Sequence, residues 1–133
     1  MATNTTGTPA RELPYQVIHY LRKTVTFSDD GTALDVGWLP AGAFIVKSLS
    51  GFTPTTDFNG TTPTLDVGTA ADGDYYATAL DIDTNLTFVP IDEAVSHLVA
   101  ADVKITTTFN SGAADATTGS GELIIAYIPD NDG

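Results

Sequence analysis

The chain contains no cysteine, so it has neither a disulfide framework nor a thiolate metal site or thiol nucleophile. Its fold must be held by the core alone, or by a core completed through oligomerisation. Cations are scarce: five Lys and Arg stand against 17 Asp and Glu, a formal net charge of −12 and a pI near 4.1. A field of that sign repels phosphate backbones and anionic lipid, which argues against nucleic acid and membrane as partners. It suits solubility in a β protein with edges to protect, and complementarity to a basic surface on a protein partner. No run approaches the roughly 20 apolar residues of a membrane span. The N-terminus lacks the basic-then-apolar order of a secretion signal, so synthesis in a cytoplasm is the expectation. Long apolar stripes at helical spacing are missing too.

What is present is a texture of short apolar bursts separated by Thr, Gly, Asp and Pro, within 133 residues that are 42% hydrophobic. That length fits one domain with a real core, and the texture is that of an all-β protein with many short strands. Residues 1–14 (MATNTTGTPARELP) have almost nothing to bury and read as an extended N-terminal arm, leaving 15–133 as a single β-sandwich domain. Arg11 and Leu13 give the arm something with which to dock on a neighbouring subunit.

The expected strands are 15–27, 33–38, 43–49, 64–68, 75–79, 86–89, 102–109 and 122–128. Ser28-Asp29-Asp30-Gly31 turns the first into the second as a hairpin, and the last two strands form another hairpin with a long tip. Between Trp38 and Phe44, Pro40-Ala41-Gly42 marks a sharp corner, because proline fixes φ and glycine is free to take positive φ. Trp38, Pro40, Gly42 and Phe44 therefore read as the anchor of the core, the two aromatics each burying on the order of 150–250 Å². Ser50–Pro63, with two prolines, two glycines and five threonines around Phe52 and Phe58, reads as a long exposed loop with aromatic tacks. Ile91–Ala100 fits a helix or a strand equally well. About eight short antiparallel strands with irregular connections favour a jelly-roll-like β-sandwich; an immunoglobulin-like sandwich would lack its cysteine landmarks.

Residues for chemistry are few. His19 lies mid-strand and His97 in an apolar run, so both read as structural histidines whose polar atoms are satisfied. There is no Gly-x-Ser-x-Gly elbow and no phosphate-binding glycine loop. Glu12, Glu93 and Glu122 are the only glutamates, and no spacing pairs any of them with an aspartate across a cleft. Asp81, Asp83 and Asn85 have the 1, 3, 5 spacing of a calcium loop, with Asp92 at position twelve. Leu86 replaces the required glycine and Asp92 is shorter than the usual bidentate glutamate, so an acidic turn is the better reading. No cofactor, metal or catalytic residue is expected, and the chain reads as an interaction or structural module.

The segments Gly37-Trp38-Leu39-Pro40-Ala41-Gly42-Ala43-Phe44-Ile45, Phe58-Asn59-Gly60 and Thr64–Tyr75 together resemble a pattern in small virion proteins of tailed bacteriophages, the capsid decoration or cement proteins. The resemblance covers residues 37–75 and consists of turns and core positions. It implies a jelly-roll-like domain, dimeric or trimeric, that binds the major capsid protein on the outside of the head and stabilises the lattice. Shell contacts would then fall to the arm (Arg11, Leu13, Tyr15) and to the loop around Phe52 and Phe58. A tail- or fibre-associated glycan-binding module would use the same sandwich.

Overall fold

The computed structural model describes residues 18–83 and 86–129. Among them nine strands form two antiparallel sheets that pack face to face: β1 (His19–Thr26), β2 (Ala33–Leu39), β3 (Phe44–Ile45), β4 (Gly51–Thr56), β5 (Thr64–Thr69), β6 (Ala77–Asp81), β7 (Val89–Pro90), β8 (Val103–Asn110) and β9 (Ser120–Ile128). Sheet A runs β1-β9-β4-β7 with β3 also on β9; sheet B runs β2-β8-β5-β6.

β3 and β4 occupy the same flank of β9, at Tyr127–Ile128 and at Ser120–Ile124 respectively, and so act as one strand interrupted by a 3-10 turn over Lys47–Leu49. Counted that way, the sheets read first-eighth-third-sixth and second-seventh-fourth-fifth, the two interlocked Greek keys of a jelly roll. Ser50 repairs the gap. Its buried hydroxyl donates to the Val46 carbonyl (2.9 Å) and accepts from the Ala126 amide (3.0 Å), while the Val46 amide donates to the Ala126 carbonyl (2.9 Å). Backbone groups that the kink would otherwise strand are thereby paired.

Period-2 alternation explains the layers. Leu123 and Ile125 of β9, Ile105, Thr107 and Phe109 of β8, and Leu65 and Val67 of β5 all turn inward and are buried. The centre is a chain of rings: Phe58 lies 4.7 Å from Phe109 and 5.9 Å from Phe52, centroid to centroid.

The strand pairing and several strand limits differ from expectation. The first strand does not form a hairpin with the second: β1 pairs β9 in sheet A and β2 pairs β8 in sheet B. The last two strands likewise sit in opposite sheets. Alternation identifies a strand's apolar face but not its partner, and here the apolar faces meet across the core instead of side by side. Ser50–Pro63 is not all loop, because Gly51–Thr56 is a strand whose Phe52 is fully buried. Pro54 is tolerated in it opposite Gly121, beside a register shift between Pro54 and Thr56. Strand 75–79 begins two residues later than expected, and 86–89 contracts to Val89–Pro90. Residues 91–100 form neither helix nor strand; their backbone pairs with the corner, Val99 donating to the Ala43 carbonyl at 2.8 Å and Gly42 donating to the Val99 carbonyl at 2.7 Å.

Candidate partner-binding surfaces

The corner after β2 has the expected turn. Ala43 donates to the Pro40 carbonyl (3.1 Å) and Gly42 takes φ +85°, a conformation that costs an L side chain roughly 1–2 kcal/mol. Its buried residues, however, are Leu39, Ala43 and Ile45, not the aromatics: Trp38 is 62% exposed and Phe44 is 50% exposed. Strand alternation is the cause. With Leu39 and Ile45 facing the core, their neighbours Trp38 and Phe44 must point to the opposite side of each sheet. Trp38 and Phe44 are therefore surface residues, not anchors of the core. The reverse correction applies to Phe52 and Phe58, expected on a partner-binding loop: both are core rings and present nothing to a partner. Phe58 is held there because Asn59 clamps the loop, its Oδ1 accepting from the amides of Thr117 (2.7 Å) and Thr118 (3.1 Å). Arg11, Leu13 and Tyr15, and the arm to which they belong, lie outside the described residues.

The outer face of sheet A is apolar at one end. Phe44 lies opposite Ile128 of β9 on one side and bridges Leu98 on the other, and all three are exposed. Ile18, the residue before β1, is exposed as well. Tyr20, 58% exposed, follows one row along β1, and Phe88 covers the outer side of Gly51, where any Cβ would run into the Val89 carbonyl. Beside Phe44 opens a groove of about 570 Å³ lined by Ile45, Pro90, Ile91 and His97. Arg22 and Glu122 form an ion pair, and Lys47 reaches the carbonyls of Asp92 (3.4 Å) and Glu93 (3.2 Å).

The outer face of sheet B differs in kind. Asp35, Asp66 and Asp81 alternate there with Thr64, Thr106 and Thr108, and Trp38 stands opposite Lys104, which pairs with Asp35 at 3.3 Å. Asp66 also has a local duty, accepting from the Ala79 amide at 2.7 Å where Ala79 takes φ +49°.

Neither histidine is satisfied in the way the sequence suggested: the Nε2 atoms of His19 and His97 are buried without a hydrogen-bond partner among the described residues. Their rings pack on Tyr127 (5.7 Å) and Tyr76 (5.8 Å). Desolvation pushes the His97 imidazole below its ordinary range, with the charge of Lys47 acting in the same direction and a hydrogen bond to the Val95 backbone opposing it. Burial raises the Tyr76 phenol. Asp72 is raised by a hydrogen bond with the neighbouring Asp74 carboxyl. Of the calcium-like run, Asp81 and Asp83 border a shallow recess with Thr61, Thr62 and Thr64, and Asn85 lies outside the described residues. Leu86 takes φ +65°, where a calcium loop requires glycine. No cluster of three or more His, Cys, Asp or Glu side chains with metal-binding geometry occurs among the described residues.

No protein-family model matches the sequence. No curated protein matches it either. Solved structures do resemble it in fold. One is a chain of the capsid asymmetric unit of cyanophage Pam1, with a TM-score of 0.62 at 23% identity, covering 96% of this chain and 98% of that one. Another is a chain of the acid-stable capsid of Helicobacter pylori bacteriophage KHP30, with a TM-score of 0.57 at 16% identity, covering 84% of this chain and 86% of that one. The likeness is one of fold, and both neighbours are chains of phage capsids.

Proposed function

We propose that this chain is a bacteriophage virion structural protein that binds the outer surface of the head as a decoration or cement protein and stabilises the capsid lattice. The observation that carries the reading is the end-to-end likeness to the Pam1 capsid chain. With 96% of one chain laid on 98% of the other, the likeness runs the length of both chains and is not confined to part of either. The acidic composition fits a chain that meets a basic surface on a protein partner. In this reading residues 1–14 form the arm ahead of one sandwich domain, and Arg11, Leu13 and Tyr15 contact the major capsid protein. Small contacts repeated over many copies add up on a lattice.

The test is co-sedimentation with heads that lack this protein. The full chain is expected to pellet with them, and a chain lacking residues 1–14 to stay in the supernatant. A full chain that remains in the supernatant overturns the reading, and equal pelleting of the truncated chain removes the arm from it. The exposed Trp38, with Asp35 and Lys104 beside it, supports a second reading as a tail- or fibre-associated glycan-binding module. That reading predicts glycan binding by the free protein, lost in Trp38→Ala.

A further inference from the structure

We infer that the apolar end of sheet A's outer face is covered, in the free protein, by residues 13–17 of the same chain. Phe44 lies between Ile128 of β9 and Leu98, and all three are exposed, so three neighbouring segments present one apolar row. Isolated exposed apolar residues are ordinary, but a contiguous row beside a groove marks a contact.

The place where the described residues begin selects the occupant. His19 pairs with Tyr127, Tyr127 pairs with Ile45 on its other flank, and the Ile45 amide donates to the His97 carbonyl at 2.9 Å. β1 therefore starts at the same end of sheet A as the apolar row. From β1 to Leu98 is three strand spacings, about 14 Å. Five extended residues span about 16 Å, so residues 13–17 reach across the row. In sequence, Leu13, Tyr15 and Val17 alternate with Pro14 and Gln16, which sets three apolar side chains on one side of an extended segment. Pro14 favours that backbone both in itself and in Leu13. Tyr15 is the only aromatic residue in 1–17, and its apolar ring with a polar tip suits the groove of about 570 Å³ beside Phe44, where Ile45, Pro90 and Ile91 adjoin Lys47 and Ser48. Residues 130–133, which follow β9 at the same end, read Asp-Asn-Asp-Gly and offer no apolar side chain. The inference does not rest on the virion reading, because it concerns the free protein; where both hold, residues that meet the shell first cover this face.

Disulfide trapping in the full chain decides it, since the sequence has no cysteine of its own. Glu12→Cys with Leu98→Cys is compared, in dilute solution, with Glu12→Cys with Trp38→Cys, whose second site lies on the other sheet. The first pair is expected to close within one chain, its mass staying at 13.9 kDa without reductant, about tenfold faster than the second. Adding Phe44→Glu to the first pair is expected to slow closure to the rate of the second. Tyr15→Ser, a change ahead of β1, is expected to slow it in the same way and keeps the test decisive should Phe44→Glu not fold, as read from far-UV circular dichroism. Equal rates in the two pairs overturn the inference, as does a rate that neither added substitution changes. A disulfide joining two copies as the main product overturns it too, because the face then belongs to another molecule.

Discussion

Ser50 shows how much of this fold hangs on single polar atoms. Its hydroxyl takes the place of a ladder bond where the strand breaks between Ile45 and Gly51, and no water reaches it. Ser50→Ala leaves the Ala126 amide without that partner, an expected loss of about 1–3 kcal/mol read from the urea midpoint. The aromatics divide sharply. Phe109→Ala opens a cavity among Phe58 and its neighbours and is expected to cost about 3–5 kcal/mol. Trp38→Ser, at a surface position, is expected to shift stability by no more than about 0.5 kcal/mol in the same assay. These outcomes invert the ranking that side-chain size alone suggests. Trp38 and Phe44 are the largest residues at the corner, but the strand parity that buries Leu39 and Ile45 turns them outward. The sequence shows the parity; which parity faces the core depends on the opposite sheet.

The elements were legible to different depths. β5 and β8 follow from alternation, β2 from a looser one and β9 from an apolar run, and each lies within two residues of its expected limits. β4 was hidden because Gly51 and Pro54 argue locally for a loop, whereas pairing with β9 and burial of Phe52 override them. Partner choice was not legible at all, since β1 and β2, and β8 and β9, are neighbours in sequence yet belong to opposite sheets. The segment after β7 is defined by what it packs on: His97 turns its ring to Tyr76, and the Ile45 amide donates to the His97 carbonyl at 2.9 Å. Its imidazole is held below the ordinary histidine value of 6.5, so as pH falls through that value the unfolded chain takes up a proton that the folded chain refuses. This contribution to stability is complete above about pH 6.5 and is lost progressively below it, until the folded form also protonates. Urea midpoints at about pH 7.5 and 5.5 are expected to differ less for His97→Gln than for the wild type. An equal difference in the two proteins would show that the ring is not the source.

At the scale of the whole molecule, the jelly roll presents two unlike outer faces, one apolar at one end with the Arg22–Glu122 pair farther along it, and one acidic and threonine-rich with Trp38 upon it. The β-sandwich class was readable from strand number and irregular connections, but the two faces were not, because they depend on which alternate residues the sandwich leaves outside. The site residues fared unevenly for the same reason. Phe52 and Phe58 sit in the core, the exposed row of Leu98, Phe44 and Ile128 emerges only from cross-strand register, and Arg11, Leu13 and Tyr15 remain assigned by the decoration reading alone. That reading makes the protein a ligand of the intact shell, and a ligand that binds the native assembly and not its unfolded subunits must stabilise it. The most direct measurement is the melting temperature of heads lacking this protein, with and without a saturating excess of the purified chain. The account predicts a rise in melting temperature that saturates with added protein; an unchanged melting temperature at saturation would contradict it.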